Sequence, residues 1–178
     1  MRKTKDKIRN AKSEMRNVSG FTLIELIIVI AIIAILAAAI FVAIDPARRL
    51  HESRNATRSN DVATILEAIK TYQADHEGTH YSTVAATATG LYYQIGTAVS
   101  GCGRVCGSVY TEGECVNLTS IGDNYLAVIP KDQNDGTAEE TGYALKKGVS
   151  GSITVIACDP EGEGAGGAGV PPTIQAVR

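Results

Sequence analysis

The sequence predicts an α+β protein in which one long N-terminal helix packs on a small antiparallel sheet. An uninterrupted run of 19 apolar residues, Leu26 to Ile44, lies near the N-terminus. Apolar residues at helical spacing follow it, and short strand-like segments come later in the chain. We therefore expect a long helix whose first half lies in lipid or in a helix bundle and whose second half covers the sheet.

The apolar run is long enough to span a membrane. As a helix it measures about 28 Å at 1.5 Å per residue, close to the thickness of a bilayer core. Residues 1–20 carry seven Lys or Arg against Asp6 and Glu14, and such a basic excess stays in the cytoplasm. These features predict a single-pass protein of the inner or plasma membrane, with everything after Ile44 outside.

The junction between the basic segment and the apolar run reads Gly20-Phe21-Thr22-Leu23-Ile24-Glu25. A carboxylate costs roughly 2.5–3.5 kcal/mol at the centre of a membrane helix and less near the interface, and it usually has a partner. This order of glycine, glutamate and apolar run resembles the processing site of type IV pilins and of type II secretion pseudopilins. A signal peptide cut near Ala37–Ala39 is the alternative, but its apolar region is usually shorter and it gives Glu25 no role.

The resemblance implies how the chain is processed. A prepilin peptidase would cut between Gly20 and Phe21, removing residues 1–20 as a cytoplasmic leader, and would methylate the amine of Phe21. Glu25 would pair with the N-terminal amine of a neighbouring subunit, because opposite charges attract strongly in a low-dielectric bundle. This leader is longer than those of the commonest pilin class, whereas the longer-leader class rarely starts with Phe.

The resemblance also implies a function and its partners. It predicts a pilin-like fold and a structural subunit of a type IV pilus-like filament, or fimbrium, on the cell surface. The filament would be a homo-oligomer. An assembly platform would build it from subunits that are held in membrane lipids. Two alternatives stay open: a pseudopilin of a type II secretion or DNA-uptake system, and a membrane-anchored binding domain that never polymerises. The sequence contains no nucleophile elbow, phosphate loop or zinc-protease motif, so no enzyme and no catalytic residue are predicted.

The helical pattern continues beyond the apolar run. Pro46 is expected to bend the helix rather than end it, and Glu77-Gly78 is the predicted end, where glycine can form a left-handed cap. Residues 21–45 are thus the predicted transmembrane or filament-core helix, and residues 46–160 the globular head. The continuation places apolar residues at helical spacing: Leu50, Val62, Ile65, Leu66, Ile69 and Tyr72.

Four arginines, Arg48, Arg49, Arg54 and Arg58, follow the apolar run and are expected on the solvated face of the helix. They could contact DNA, but no aromatic residues are interleaved with them. Without the leader, 10 of the 17 basic and 17 of the 19 acidic residues remain. An acidic exterior argues against nucleic-acid binding, so we expect the arginines to meet acidic residues of neighbouring subunits.

Four segments are predicted as strands: Leu91–Ile95, Tyr125–Ile129, Gly142–Leu145 and Ile153–Ala157. Turn residues bound the last three, which suggests a small antiparallel sheet. The Gly- and Pro-rich segment 161–178 is predicted to be a flexible tail.

An even number of cysteines outside the cytoplasm favours two disulfides. Of the three possible connectivities we favour two: Cys102–Cys106 with Cys115–Cys158, and Cys106–Cys115 with Cys102–Cys158. A zinc site is the less favoured alternative because paired C-x-x-C knuckles are missing.

The stretch Asp132-Gln133-Asn134-Asp135-Gly136 places several oxygen-bearing side chains before a glycine. Oxygen ligands suit Ca²⁺, and the stretch resembles the calcium-binding loop of major pseudopilins. It is also a good turn sequence and is shorter than an EF-hand loop. Asp132, Asn134 and Asp135 are the candidate calcium ligands, and no other cofactor is expected.

Overall fold

The computed structural model describes residues 20–122 and 124–178, so most of the predicted leader, residues 1–19, lies outside the described part. The chain divides into two compact units, Met1–Ala43 and Ile44–Arg178. The elements in chain order are α1 Leu23–Ile44, α2 Pro46–Asp75, α3 Ser82–Ala86, β1 Tyr92–Gln94, β2 Val105–Cys106, β3 Val109–Tyr110, β4 Tyr143–Lys147, β5 Ile153–Ala157, a 3₁₀ turn Ala165–Gly167 and β6 Gln175–Val177.

Helix α1 is apolar over nearly its whole length, and none of its residues is buried in the structure. Within the described residues, a single helical run is long and apolar enough to cross a membrane, and α1 is its apolar part. A helix that is apolar on all sides needs lipid or other helices around it.

The predicted long helix is divided at Asp45. This residue has φ 47°, in the left-handed region, and its side chain accepts a hydrogen bond from the backbone N–H of Arg48 as the N-cap of α2. The bend that we expected at Pro46 is therefore an interruption of one residue. Pro46 causes it, since proline lacks the N–H that would continue the helix and disfavours helical geometry in the preceding residue.

The C-terminal end of α2 lies close to the predicted one. The helix ends at Asp75, and Gly78, with φ 85°, donates a hydrogen bond to the carbonyl of Gln73. Glycine adopts this left-handed geometry without the steric cost of a Cβ.

Four strands form an antiparallel sheet in the order β1-β4-β5-β6, and β2 and β3 form a separate hairpin. Helix α2 packs on β5 and β6, which confirms the predicted α+β arrangement of a long helix on a small antiparallel sheet. The core between them is built from residues of α2 and from inward-facing strand residues: Val62, Ile65, Leu66, Ile69, Tyr143, Leu145, Ile153 and Val155.

Three of the four strand predictions agree with the structure. Strands β1 and β5 lie in the segments predicted, and β4 begins in the predicted segment but extends two residues beyond it, to Lys147. The prediction for Tyr125–Ile129 was wrong. The backbone turns there, with the N–H groups of Tyr125 and Leu126 both donating to the carbonyl of Gly122. Leu126 is buried and Tyr125 packs against Tyr72, so the apolar residues of this segment serve the core from a turn.

The structure also differs from the prediction of a flexible tail at 161–178. Strand β6 pairs with β5, with Ala176 opposite Val155. Ile174 and Ala176 pack against the core, so alternate residues of this segment face inward as in an ordinary edge strand. The glycine- and proline-rich composition of the segment as a whole masks this short alternating stretch.

Two disulfides are present, but both connectivities that we favoured were wrong. The bonds are Cys102–Cys115 and Cys106–Cys158. The β2–β3 hairpin explains the pairing: its two arms continue antiparallel, with the N–H of Cys102 donating to the carbonyl of Gly113, so Cys102 and Cys115 meet across the arms. Beside the turn, the N–H of Gly107 donates to the carbonyl of Cys158, which brings Cys106 against β5.

The two disulfides are expected to differ in their contribution to stability. They close loops with sequence separations of 52 and 13 residues, for which the chain-entropy relation gives about 4 and about 3 kcal/mol. We expect Cys106→Ala with Cys158→Ala to lower the free energy of unfolding by roughly 1 kcal/mol more than Cys102→Ala with Cys115→Ala. Chemical denaturation of the full chain in micelles measures both, and the reverse ranking would contradict the expectation.

Candidate functional site

The first turn of α1 holds Glu25 in a reciprocal contact with Thr22. The backbone N–H and the Oγ1 hydroxyl of Thr22 both donate to Glu25 Oε2, each at 2.8 Å. In return, the N–H of Glu25 donates to Thr22 Oγ1 at 3.2 Å. This is a capping box, in which two of the free N–H groups of a helix start are satisfied by side chains three residues apart.

The capping box gives Glu25 a local role that the sequence analysis missed. Its signal was present, because threonine followed three residues later by glutamate before an apolar run is the signature of a capping box. A carboxylate in the first turn also interacts favourably with the helix dipole. Thr22 therefore supplies hydrogen bonds, and the dipole a partial positive charge, but neither supplies a full counter-charge.

No such counter-charge exists within the apolar helix. Glu25 is the only charged residue between Phe21 and Ile44, and both contacts recorded for its carboxylate are made by Oε2. An ionised carboxylate in a lipid or helix-bundle environment is costly without a cation. A cationic group that complements Glu25 must come from outside α1.

The bond between Gly20 and Phe21 is accessible. Both residues lie before the first turn of α1 and are exposed, with Phe21 92% exposed. Among the described residues other than its chain neighbours, none has a heavy atom within 4 Å of the position a Cβ would take on Gly20. A peptidase needs a non-helical and accessible bond, and this segment offers one.

The head contains a second cluster of charges, centred on Arg58. This side chain is 1% exposed, and its guanidinium donates to both carboxylate oxygens of Asp132, at 2.5 and 3.0 Å. It also donates to Glu161 at 3.0 Å and to Asn55 at 2.9 Å. One arginine thus joins α2 to the 132–136 loop and to the segment that follows β5.

The charges of this cluster support one another. Burial alone would raise the pKa of Asp132, but the hydrogen bonds and charge of Arg58 outweigh it and hold that pKa below its ordinary value. Burial would also raise the pKa of Glu161, but Arg58 and Arg54 outweigh it and lower the pKa of that carboxyl. Although burial would lower the pKa of Arg58, its two carboxylate partners raise it. All three groups are therefore ionised at neutral pH.

The prediction that Arg58 lies on the solvated face of α2 was wrong. Position 58 precedes Val62, Ile65 and Ile69 at spacings of four, seven and eleven residues, which places it on the buried face. That spacing was visible in the sequence, but the two carboxylates that make burial tolerable come from distant segments. Arg48 and Arg49 are exposed as expected and pair with Glu52.

The three candidate calcium ligands are arranged around other partners. Asp132 binds Arg58 and accepts a hydrogen bond from the N–H of Asn134, whereas Asp135 lies 3.5 Å from Arg104. Within the described parts of the chain, no group of three or more His, Cys, Asp or Glu residues could hold a metal ion. Calcium at Asp132, Asn134 and Asp135 stays a prediction.

Comparison with known proteins bears on the N-terminal segment. Residues 15–41 match the family model of the prokaryotic N-terminal methylation motif. No curated protein and no solved structure matches the chain. The matched residues include Gly20, Phe21, Thr22 and Glu25, and the motif implies processing by a prepilin peptidase and a pilus or secretion assembly context. The chain therefore carries the hallmark of type IV pilins and pseudopilins over residues 15–41.

Proposed function

We propose that this chain is the structural subunit of a type IV pilus-like filament. A prepilin peptidase removes residues 1–20, and the amine of Phe21 is methylated. Helix α1 anchors the subunit in the membrane before assembly. The subunit then enters an extracellular filament whose centre is a bundle of these helices. Its work is assembly, in keeping with a motif whose family is structural and not catalytic.

The observation that carries the proposal is Glu25. It is the only charge of α1, it is held in place by Thr22, and it has no cation within that helix. The amine of Phe21 in a neighbouring subunit is a cation that processing creates at the same end of every copy. Pairing the two would neutralise both charges inside an apolar bundle and would set the register between helices.

The head is consistent with this proposal. It has its own core and two disulfides, as suits a domain outside the cytoplasm. Two of the four arginines considered for DNA, Arg54 and Arg58, pair with Glu161. A phosphate backbone would have to displace that carboxylate, so the basic segment is a poor surface for nucleic acid.

Mass spectrometry tests the proposal. We expect material sheared from the cell surface to contain a mature chain beginning at Phe21, with or without one methyl group. An unrelated membrane protein, absent from the sheared fraction, controls for lysis. The processed mass found in membranes alone would support a pseudopilin instead. A chain that retains residues 1–20, or one cut near Ala39, would contradict the proposal and favour an anchored domain.

A further inference from the structure

The connection between β5 and β6 is much longer than the sheet requires. Neighbouring antiparallel strands can be joined by two to five residues, yet residues 158–174 lie between these two. The chain returns to the sheet at Ile174, whose carbonyl accepts a hydrogen bond from the N–H of Ala157. The excess chain leaves the sheet and follows α2.

Residues 161–163 lie along the first half of α2. Glu161 accepts a hydrogen bond from Arg54 at 2.8 Å. One residue further, the carbonyl of Gly162 lies 2.8 Å from His51 Nδ1. Glu163 then accepts a hydrogen bond from Asn55 at 2.8 Å. These three residues therefore contact the stretch of α2 between His51 and Asn55.

Further along, the loop reaches the N-cap of α2. The backbone N–H of Gly166 donates to Asp45 Oδ2 at 2.7 Å, while the N–H of Arg48 donates to Asp45 Oδ1 at 3.3 Å. The hydrogen bond from Gly166 lowers the pKa of Asp45 more than any other contact, although burial opposes it. The carboxylate is thus ionised and accepts one bond from its own helix and one from the loop.

Asp45 adopts a conformation that needs such support. Its φ of 47° is left-handed, a conformation that is unfavourable for an L-residue, although less so for aspartate than for most. Conformations of this kind persist where surrounding contacts hold them. Here a loop from the far end of the chain supplies the shorter of the two bonds.

The loop fits the helix closely at the next residue. A Cβ built on Gly167 would lie 2.5 Å from His51 Cε1, and Gly167 has φ 76°. A residue with a Cβ would be strained at this backbone angle, and the His51 ring would have to move to admit it. The loop is therefore shaped to this part of α2.

We propose that residues 161–167 are a latch that fixes the interruption of the helix at Asp45. With the latch bound, Asp45 is held in its left-handed conformation. With the latch released, Asp45 loses the hydrogen bond from Gly166 and is free to leave that conformation. The latch rests on contacts within the Ile44–Arg178 unit and stands or falls independently of the proposed filament.

The latch is tested by comparing the amide hydrogen–deuterium exchange rates of wild type and Asp45→Asn, both as full chains in micelles. Asparagine still caps a helix and tolerates left-handed geometry, but it leaves one acceptor oxygen where aspartate has two. We expect the amides of the loop around Gly166 and those of Arg48 and Arg49 to exchange about tenfold faster, as for the loss of one hydrogen bond to a charged group. Asp75→Asn, at the other end of α2, is the matched control.

The reciprocal test changes the loop and leaves Asp45 intact. Gly167→Ala should dislodge the loop from His51 and accelerate exchange at Arg48 and Arg49 by a similar factor. Gly113→Ala is its control, because no heavy atom lies within 4 Å of a Cβ there. Acceleration confined to the loop would reject the latch, since Asp45 and the first turn of α2 would then be held without it. Equal acceleration in β5 would reject it too, as general destabilisation.

Discussion

Arg58→Met is expected to destabilise the head by about 3–5 kcal/mol. The substitution fills much of the same volume but leaves Asp132 without its cation, whereas Glu161 keeps Arg54. Removing one partner of a buried ion pair has an effect of this size. Asp132 suffers most, because its side chain is 0% exposed and both of its oxygens bind Arg58. The measurement is chemical denaturation of the full chain in micelles, followed by the near-ultraviolet circular dichroism of its seven tyrosines.

Two further variants show that the cost comes from an orphaned charge. Arg48→Met removes an arginine that is half exposed and paired with Glu52 on the surface, and we expect a change within about 0.5 kcal/mol. Combining Arg58→Met with Asp132→Leu removes both buried partners and should recover part of the loss. A loss below about 1 kcal/mol for Arg58→Met would show that the carboxylates find water or another partner.

The effect of Arg58→Met on the free energy of unfolding should depend on pH, because two carboxyl groups beside Arg58 have lowered pKa values. A carboxyl whose pKa is lower in the folded state stabilises the fold above its unfolded value of about 4. That contribution disappears as pH falls through the folded value. Asp132 and Glu161 both belong to this class. The difference in the free energy of unfolding between wild type and Arg58→Met should therefore be largest near pH 7 and should decrease below about pH 4.

The sequence predicted the features that depend on local order. An apolar run, a helical period, a β-branched segment and bounding turn residues are readable from neighbouring residues, and α1, α2, β5 and β4 followed from them. The β2–β3 hairpin turns at Gly107, and its register decides which cysteines meet. A spacing of cysteines does not reveal where the chain reverses, so the connectivity could not be predicted.

The candidate sites divide in the same way. The contact between Thr22 and Glu25 spans three residues and was within reach of the sequence. Arg58 meets Asp132 and Glu161 across separations of 74 and 103 residues. A lone arginine on an apolar face predicts only that carboxylates must come from elsewhere. The tail was misjudged because its composition is that of a linker while its contacts are long-range.

Glu25→Gln is expected to remove the chain from filaments while leaving it in the membrane. Glutamine has the length of glutamate and can take the same place in a capping box, so α1 should start as before. The neutral side chain is cheaper to insert into lipid, which leaves membrane insertion intact. What the variant loses is the charge, and with it the proposed pairing with the amine of Phe21 in a neighbouring subunit.

The size of the effect follows from the environment of that pair. Truncating one member of a buried charge pair at an interface costs about 2–5 kcal/mol, and leaving the amine unpaired acts at every subunit added. We expect filament yield to fall roughly a hundredfold or more, read as the ratio of sheared to membrane-bound protein.

Two control variants separate the charge of residue 25 from its other contacts. Glu25→Asp keeps the charge but has a shorter side chain, so it should retain part of the filament yield. Thr22→Val removes the hydroxyl alone and leaves the charge, so it should cost far less than Glu25→Gln. Normal filaments from Glu25→Gln would mean that the carboxylate serves only as a helix cap, and the register between subunits would then have to come from the apolar faces of α1.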